Sequence, residues 1–221
     1  MPKFPTPAPI AAVLDIPAGR IEFIAADRTD TVVEVRPLDP SKSRDVKAAE
    51  RTEVVYGDGV LRVEASAKNQ ILGSSGSVEV TVQLPTGSRV DAKAAGAEFR
   101  GVGRLGDVAF ETSQGSVKLD EAASVRLTTA AGDVSVGRLG GASEISTRKG
   151  DIRIAEAIGG AVVLRTDVGE VSVGAAHGVS ASLDAGTTYG RIRNALKNTD
   201  GAADLAIHAT TAHGDIVAQS L

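Results

Sequence analysis

The sequence has no cysteine and no tryptophan in 221 residues. The first absence excludes disulfides, thiolate metal sites and cysteine nucleophiles, and leaves the redox compartment open. The second comes with an aromatic content of only 3%. Any core must therefore be built from Val, Ile, Leu and Ala. It also removes the flat rings on which sugar-binding proteins stack glycans, leaving only Tyr56 and Tyr189. Charge of one sign is scarce too. The net charge is −4 with acids and bases interleaved, and no run of Lys or Arg forms the basic stripe a nucleic acid needs. No stretch approaches the roughly 18 apolar residues of a membrane-spanning helix.

The first twenty residues, MPKFPTPAPIAAVLDIPAGR, carry four prolines in the first nine positions. They lack the uninterrupted apolar stretch and cleavage site of a signal peptide. The expected location is the cytoplasm, with the cell surface as the second choice. Residues 1–9 are expected to be disordered.

What is present is a repeat. Thr stands three residues before Gly six times: Thr112 and Gly115, Thr129 and Gly132, Thr147 and Gly150, Thr166 and Gly169, Thr187 and Gly190, Thr211 and Gly214. Successive glycines are 17, 18, 19, 21 and 24 residues apart. After each Gly comes a polar residue and then an aliphatic one, as in Asp133-Val134, Asp151-Ile152 and Asp215-Ile216. Before each Thr runs a second alternating segment, with Val125 and Leu127, Ile145, Val162 and Leu164, Leu183, and Leu205 and Ile207. In the last two copies the aliphatic lies two residues further from the Gly, which predicts a bulge or longer turn. Glycine-rich corners stand between the strands at 137–141, 157–160 and 175–178.

One such unit cannot bury its apolar face alone, whereas stacked units can. The pattern predicts an all-β fold: a β-solenoid of about six short coils over 96–221, preceded by an irregular β-rich cap over 10–95 that is continuous with it. The narrow interior suits Val, Ile and Leu ladders. A propeller is the architectural alternative, but its blades need about 40 to 45 residues, so these repeats would make three blades, below the usual four. In the first half, 13–37 reads as strand, turn, strand, strand. Residues 44–51 read as a helical turn or loop, 52–65 as a hairpin around Gly57-Asp58-Gly59, and 67–76 as a loop. Two strands are expected around Pro85-Thr86-Gly87.

Three stretches in order carry a resemblance: DIPAGRIEF at 15–23, VTVQLPTGSRVDAKAAGAEF at 80–99, and the serial Gly-Asp-Val/Ile coils. Together they resemble the bacterial putative-adhesin β-strand-repeat family, a domain of unknown function, over about residues 10–220. The resemblance implies a solenoid-like all-β fold and an adhesin role. It implies no catalytic motif.

The candidate sites weigh as follows. Asp133, Asp151 and Glu170 would stack in a ladder about 5 Å apart, between Ser116 and Arg191. That is a cation site or, more simply, turn chemistry, because Asp and Ser favour corners beside Gly. His177, His208 and His213 do not share a zinc-site spacing. The outward column is expected to read Glu111, Thr128, Ser146, Arg165, Asp184, His208, a mixed face without a carboxylate pair. GVGRLG at 101–106 lacks the Gly-Lys-Ser/Thr of a phosphate loop. Arg126 and Glu144 are placed to pair between coils. No catalytic residue, cofactor or metal is expected.

The function expected is a non-enzymatic scaffold or adhesin-like protein-binding module. The alternatives are a bactofilin-like cytoplasmic filament former and a solenoid carbohydrate-active enzyme. A protein partner, or a second copy, is expected at the edge of the C-terminal coil around Ile216 to Ala218.

Overall fold

The computed structural model describes residues 1–65, 76–198 and 202–221. The loop expected over 67–76 lies outside the described residues except for its last position. The described chain is all-β with one short helix, and it separates into two compact units, Met1–Gly115 and Ser116–Leu221.

The first unit contains β1 (Lys3–Pro5), β2 (Ala11–Ala26), β3 (Asp30–Pro37), α1 (Ser43–Arg51), β4 (Thr52–Gly57), β5 (Val60–Ala65), β6 (Val78–Pro85) and β7 (Arg89–Gln114). Strand β2 is its axis. It runs parallel to β7 from Ala11↔Arg89 to Ile24↔Val102. Its first half also pairs with β5 and its second half with β6, both in parallel. The strand bends at Pro17-Ala18-Gly19 and so serves two sheets in turn. Gly19 has φ +134°, and a Cβ there would lie 1.8 Å from the Val78 carbonyl oxygen. Inside, Phe23, Phe99 and Phe110 form a tilted stack with centroids 5.6 and 4.8 Å apart. Half of the chain's few aromatic residues thus sit in one column.

Several expectations change here. Residues 1–9 were expected to be disordered, yet Lys3–Pro5 pairs antiparallel with β3, and Thr6 and Thr31 bond through their hydroxyls at 2.9 Å. Proline is tolerated at such an outer strand because it needs no donor there. The segment 44–51 is a complete helix whose buried Asp45 accepts from the Ser77 backbone N–H at 3.0 Å. The boundary expected at 95/96 falls inside β7, which stays paired with β2 on both sides of it.

The second unit contains β8 (Val117–Ala131), β9 (Val134–Leu139), β10 (Ser143–Lys149), β11 (Ile152–Ala157), β12 (Gly160–Val168), β13 (Val171–Ala175), β14 (Ala181–Tyr189), β15 (Ile192–Ala195), β16 (Leu205–His213) and β17 (Ile216–Ser220). All pairings among them are parallel. One sheet stacks the second half of β8 with β10, β12, β16 and β14. The other stacks the first half of β8 with β9, β11, β13, β17 and β15. This is a β-solenoid, and its two sheets are joined at the Gly corners.

The interior is a set of ladders. Val117, Val134, Ile152, Val171 and Ile216 follow one another at 0 to 1% exposure. Each such side chain contributes about 1.5 to 3 kcal/mol by leaving water. The Thr column is buried as well, except for the half-buried Thr187, and its hydroxyls are satisfied. Thr166, Thr211 and Thr187 each donate to a Gly carbonyl of the adjacent coil at 3.0 Å. Thr129 and Thr147 instead donate to carbonyls within their own turns.

The stacking order departs from the chain order. Strand β12 pairs with β16, not with β14, and β13 pairs with β17, not with β15. The last coil of the chain is inserted between its two predecessors, and the coil β14–β15 lies outermost. Two sequence features account for this. The last coil brings Leu205, Ile207, Ala209, Ile216 and Ala218 to inward positions, all buried. The coil β14–β15 places Asn194 in the column where Ala218 and Val173 stand, so it is the poorer candidate for the middle of a stack. The intervals of 21 and 24 residues supply the chain needed to skip one level and return.

This order corrects three expectations. The edge around Ile216 to Ala218 is not free, because β17 is paired on both sides. Leu164 lies between Ile145 and Ala209, not beside Leu183. The bulge expected in the last two copies does not occur. Leu164, Ala209 and Ala185 share one rung, and the Thr rung above it stays in register. A small alanine stands at that rung, which the aliphatic pattern had read as a shift.

Candidate interaction face

The side chains on the outer face of the β8–β10–β12–β16–β14 sheet are set by strand alternation, because every second residue is turned away from the ladders. Parallel registers then align them into rows. One row reads Arg126, Glu144, Val163, His208, Asp184. The next reads Thr128, Ser146, Arg165, Thr210, Gly186. The expected column had joined Asp184 and His208 to the second row. They belong to the first, because the last two coils hold no bulge. Glu111, the remaining member, lies in the first unit near Lys93, with 4.0 Å between charged atoms. Arg126 and Glu144 are direct register neighbours, as expected.

On the other sheet the equivalent outward row is Ser135, Arg153, Ser172, Val217, Arg193. It is smaller and carries no acid. Further along the same strands Glu121, Arg138 and Glu156 are register neighbours, with 3.8 Å between the charged atoms of Arg138 and Glu156, so both broad faces carry charge of both signs.

The acidic corner ladder has a structural occupation. Asp133 accepts from the backbone N–H of Asp151 at 2.9 Å, and Asp151 from that of Glu170 at 2.8 Å. Asp215 accepts from the backbone N–H of Arg191 at 2.9 Å and also pairs with its guanidinium. The N–H of Arg191 and then its guanidinium hold the Asp215 carboxyl below the ordinary carboxylate range. Each carboxylate therefore ties one corner to the next, which is the turn chemistry of Asp rather than a cradle for a cation. Among the described residues no three His, Cys, Asp or Glu side chains are grouped to hold a metal ion.

The histidines are dispersed. His177 stands exposed in the turn after β13. His208 contacts Asp184 at 3.3 Å on the outer face. His213 is stacked against Tyr189, with centroids 4.8 Å apart and planes at 7°. The last two pairs join the neighbouring strands β14 and β16. Asp184 and His208 stood side by side in the expected column, whereas the stack of Tyr189 on His213 was not read from the sequence. The glycines of 101–106 serve packing: a Cβ on Gly103 would lie 2.2 Å from the Ala25 carbonyl oxygen. In the first unit an open groove of about 320 Å³ is lined in part by Met1, Val33, Glu34 and Val54.

The sequence profile of Toastrack DUF4097, a domain of unknown function, matches residues 20–220, almost the whole solenoid and most of the first unit. The chain belongs to this family. The solved structures similar to this Toastrack chain include a "putative adhesin" from Parabacteroides distasonis, at 13% identity and TM-score 0.50 over 98% of this chain and 95% of that one. Another is a "putative adhesin" from Bacteroides fragilis, at 12% identity and TM-score 0.48 over 98% and 95%. A third is a "putative cell adhesion protein" from Clostridium sporogenes, at 14% identity and TM-score 0.42 over 99% and 96%. At these identities the first of them shows a shared fold and nothing about a ligand. No curated protein matches the Toastrack chain. No helix among its described residues is long and apolar enough to cross a membrane.

Proposed function

We propose that this Toastrack domain is a non-enzymatic interaction module that binds a protein through the outer face of the β8–β10–β12–β16–β14 sheet. The observation that carries the reading is the aligned pair of rows on that face. Arg126, Glu144, Arg165, His208 and Asp184 are all exposed and held at strand spacing on a buried aliphatic ladder. A rigid face of mixed charge binds with little ordering cost, and its charge pattern selects the partner. The adhesin names of the similar structures agree with an interaction role.

A photo-crosslinking side chain placed at Ser146, and separately at Ser172 on the opposite sheet, tests this in the native cell. Discrete protein adducts from Ser146 are expected, with few or none from Ser172. The double substitution Arg126→Glu, Arg165→Glu should abolish them without changing the melting temperature. Adducts that survive the charge reversal, or that form equally from both faces, would overturn the assignment.

A further inference from the structure

The coil β14–β15 ends the stack on one side. Among the described residues, β14 pairs only with β16 and β15 only with β17. Beyond Ala181, whose N–H donates to the Lys197 carbonyl oxygen at 3.0 Å, β14 and β15 present a backbone edge with no strand beside it among the described residues. The inward ladders are also cut there. Val171 and Ile216 are 0 and 1% exposed, whereas Ile192, next in the same ladder, is 44% exposed. Leu183 is half-buried, although Ile207 beside it is 1% exposed. Tyr189 stacks one ring face on His213 and remains 67% exposed. Unblunted edges of this kind are templates for strand pairing.

We propose that a second copy of this chain closes that end through a twofold axis, with β14 of each copy lying antiparallel against β15 of the other. Two observations select this occupant. The first is charge. Asp184 projects from β14, and Arg193 projects from β15. A twofold axis running along the strands lays β14 over the other copy's β15 and brings these opposite charges to the same outer face, twice. A twofold axis running from sheet to sheet would lay like strands together and set like charges against each other. The second observation is area. The nine residues of β14 span about 30 Å, and two sheets about 10 Å apart with their side chains give a coil end about 20 Å deep. Two such ends cover about 1,200 Å² together, the lower bound for a stable dimer. The closure covers the ladder ends that Ile192 and Leu183 expose. It stands independently of the outer-face reading and needs no other protein.

Sedimentation velocity over a concentration series of the purified chain tests it. A monomer–dimer equilibrium is expected. Ile192→Asp should raise the dimer dissociation constant at least tenfold while leaving the circular-dichroism spectrum unchanged, because the side chain is 44% exposed in one copy. Arg193→Asp and Asp184→Arg should each weaken the dimer, and the two together should restore it. That cycle keeps the proposal open to refutation even if Ile192→Asp disturbs the fold. A monomer at every concentration would overturn the proposal. So would a dimer indifferent to all of these substitutions, or mass that grows without limit, since unlimited growth requires a head-to-tail contact.

Discussion

Thr211 Oγ1 donates a hydrogen bond to the Gly169 carbonyl oxygen, 3.0 Å away and 42 residues earlier in the chain. The coil carrying Gly190 lies between them in sequence but not in space. Thr187, on that coil, reaches instead to the Gly214 carbonyl oxygen at 3.0 Å. The last coil is therefore held from both sides by the same hydroxyl-to-glycine contact that ties Thr166 to Gly150.

This order makes the C-terminal coil internal. Truncation after Asn198 removes β16 and β17, and with them the only partners of β14 and β15 among the described residues. The expected outcome is a large loss of β signal in circular dichroism and a sharp fall in melting temperature. Deleting residues 133–150, one full period that joins Gly132 to Asp151, should be milder, because β8 can then meet β11 and β12 in phase. If the truncation proves the milder of the two, the inverted stacking is wrong.

The corner glycines should separate by their surroundings. Gly169 has φ +152°, and a Cβ there would lie 2.1 Å from the Gly150 carbonyl oxygen. Gly169→Ala should cost at least about 2 kcal/mol in urea unfolding, from strain and backbone displacement together. Gly186 has open space where its Cβ would be. Gly186→Ala should be within about 0.5 kcal/mol of the parent. Equal costs would contradict the close approach of successive corners.

Alternation sets the inside from the outside. Leu164 is fully buried between Ile145 and Ala209. Leu164→Ala should destabilise by about 2 to 5 kcal/mol, because the ladder can collapse only partly around the gap. Arg165→Ala, one residue on, should change stability by under about 0.5 kcal/mol. Matched thermal melts of the two variants check this directly.

Acid should loosen the start of the chain. Hydrogen bonds from Arg28 and then Lys3 hold the Asp30 carboxyl down to about 2, from an ordinary 3.8. A depressed carboxylate contributes stability above its unfolded value, and that contribution is lost as the pH falls through the folded value. The attachment of β1 to β3 should therefore persist at pH 5 and weaken between about 4 and 2. Asp30→Asn should remove this pH dependence. Amide exchange at Val33, whose N–H donates to the Pro2 carbonyl oxygen at 3.1 Å, reports it.

Much of the architecture was legible because it is local and periodic. The Thr-x-x-Gly spacing places a hydroxyl and a tight corner in every coil, the hydroxyl buried in all but the outermost, where Thr187 is half-buried, and the alternation around Val134, Ile152 and Val171 defines an inside and an outside. The turns at Gly57-Asp58-Gly59 and at Pro85-Thr86-Gly87 were legible for the same reason. The outer rows were read only in part. Thr128, Ser146 and Arg165 fall in one row as expected, but Asp184 and His208 were read two residues out of register, because the small Ala185 and Ala209 hold the inward position that larger aliphatics hold in other coils.

The sequence by itself determined the element types, the inward ladders and the corner chemistry, since each follows from interactions within one or two periods of the chain. Tertiary structure alone decided the stacking order. Parallel coils with the same period can pair in either order at the same backbone hydrogen-bonding cost, so the choice falls to side-chain burial summed over whole coils. Leu205, Ile207, Ile216 and Ala218 fill a middle position better than Leu183, Ala185, Ile192 and Asn194 do. That difference moved the chain's last coil inward and left Ile192 and Tyr189 at the open end.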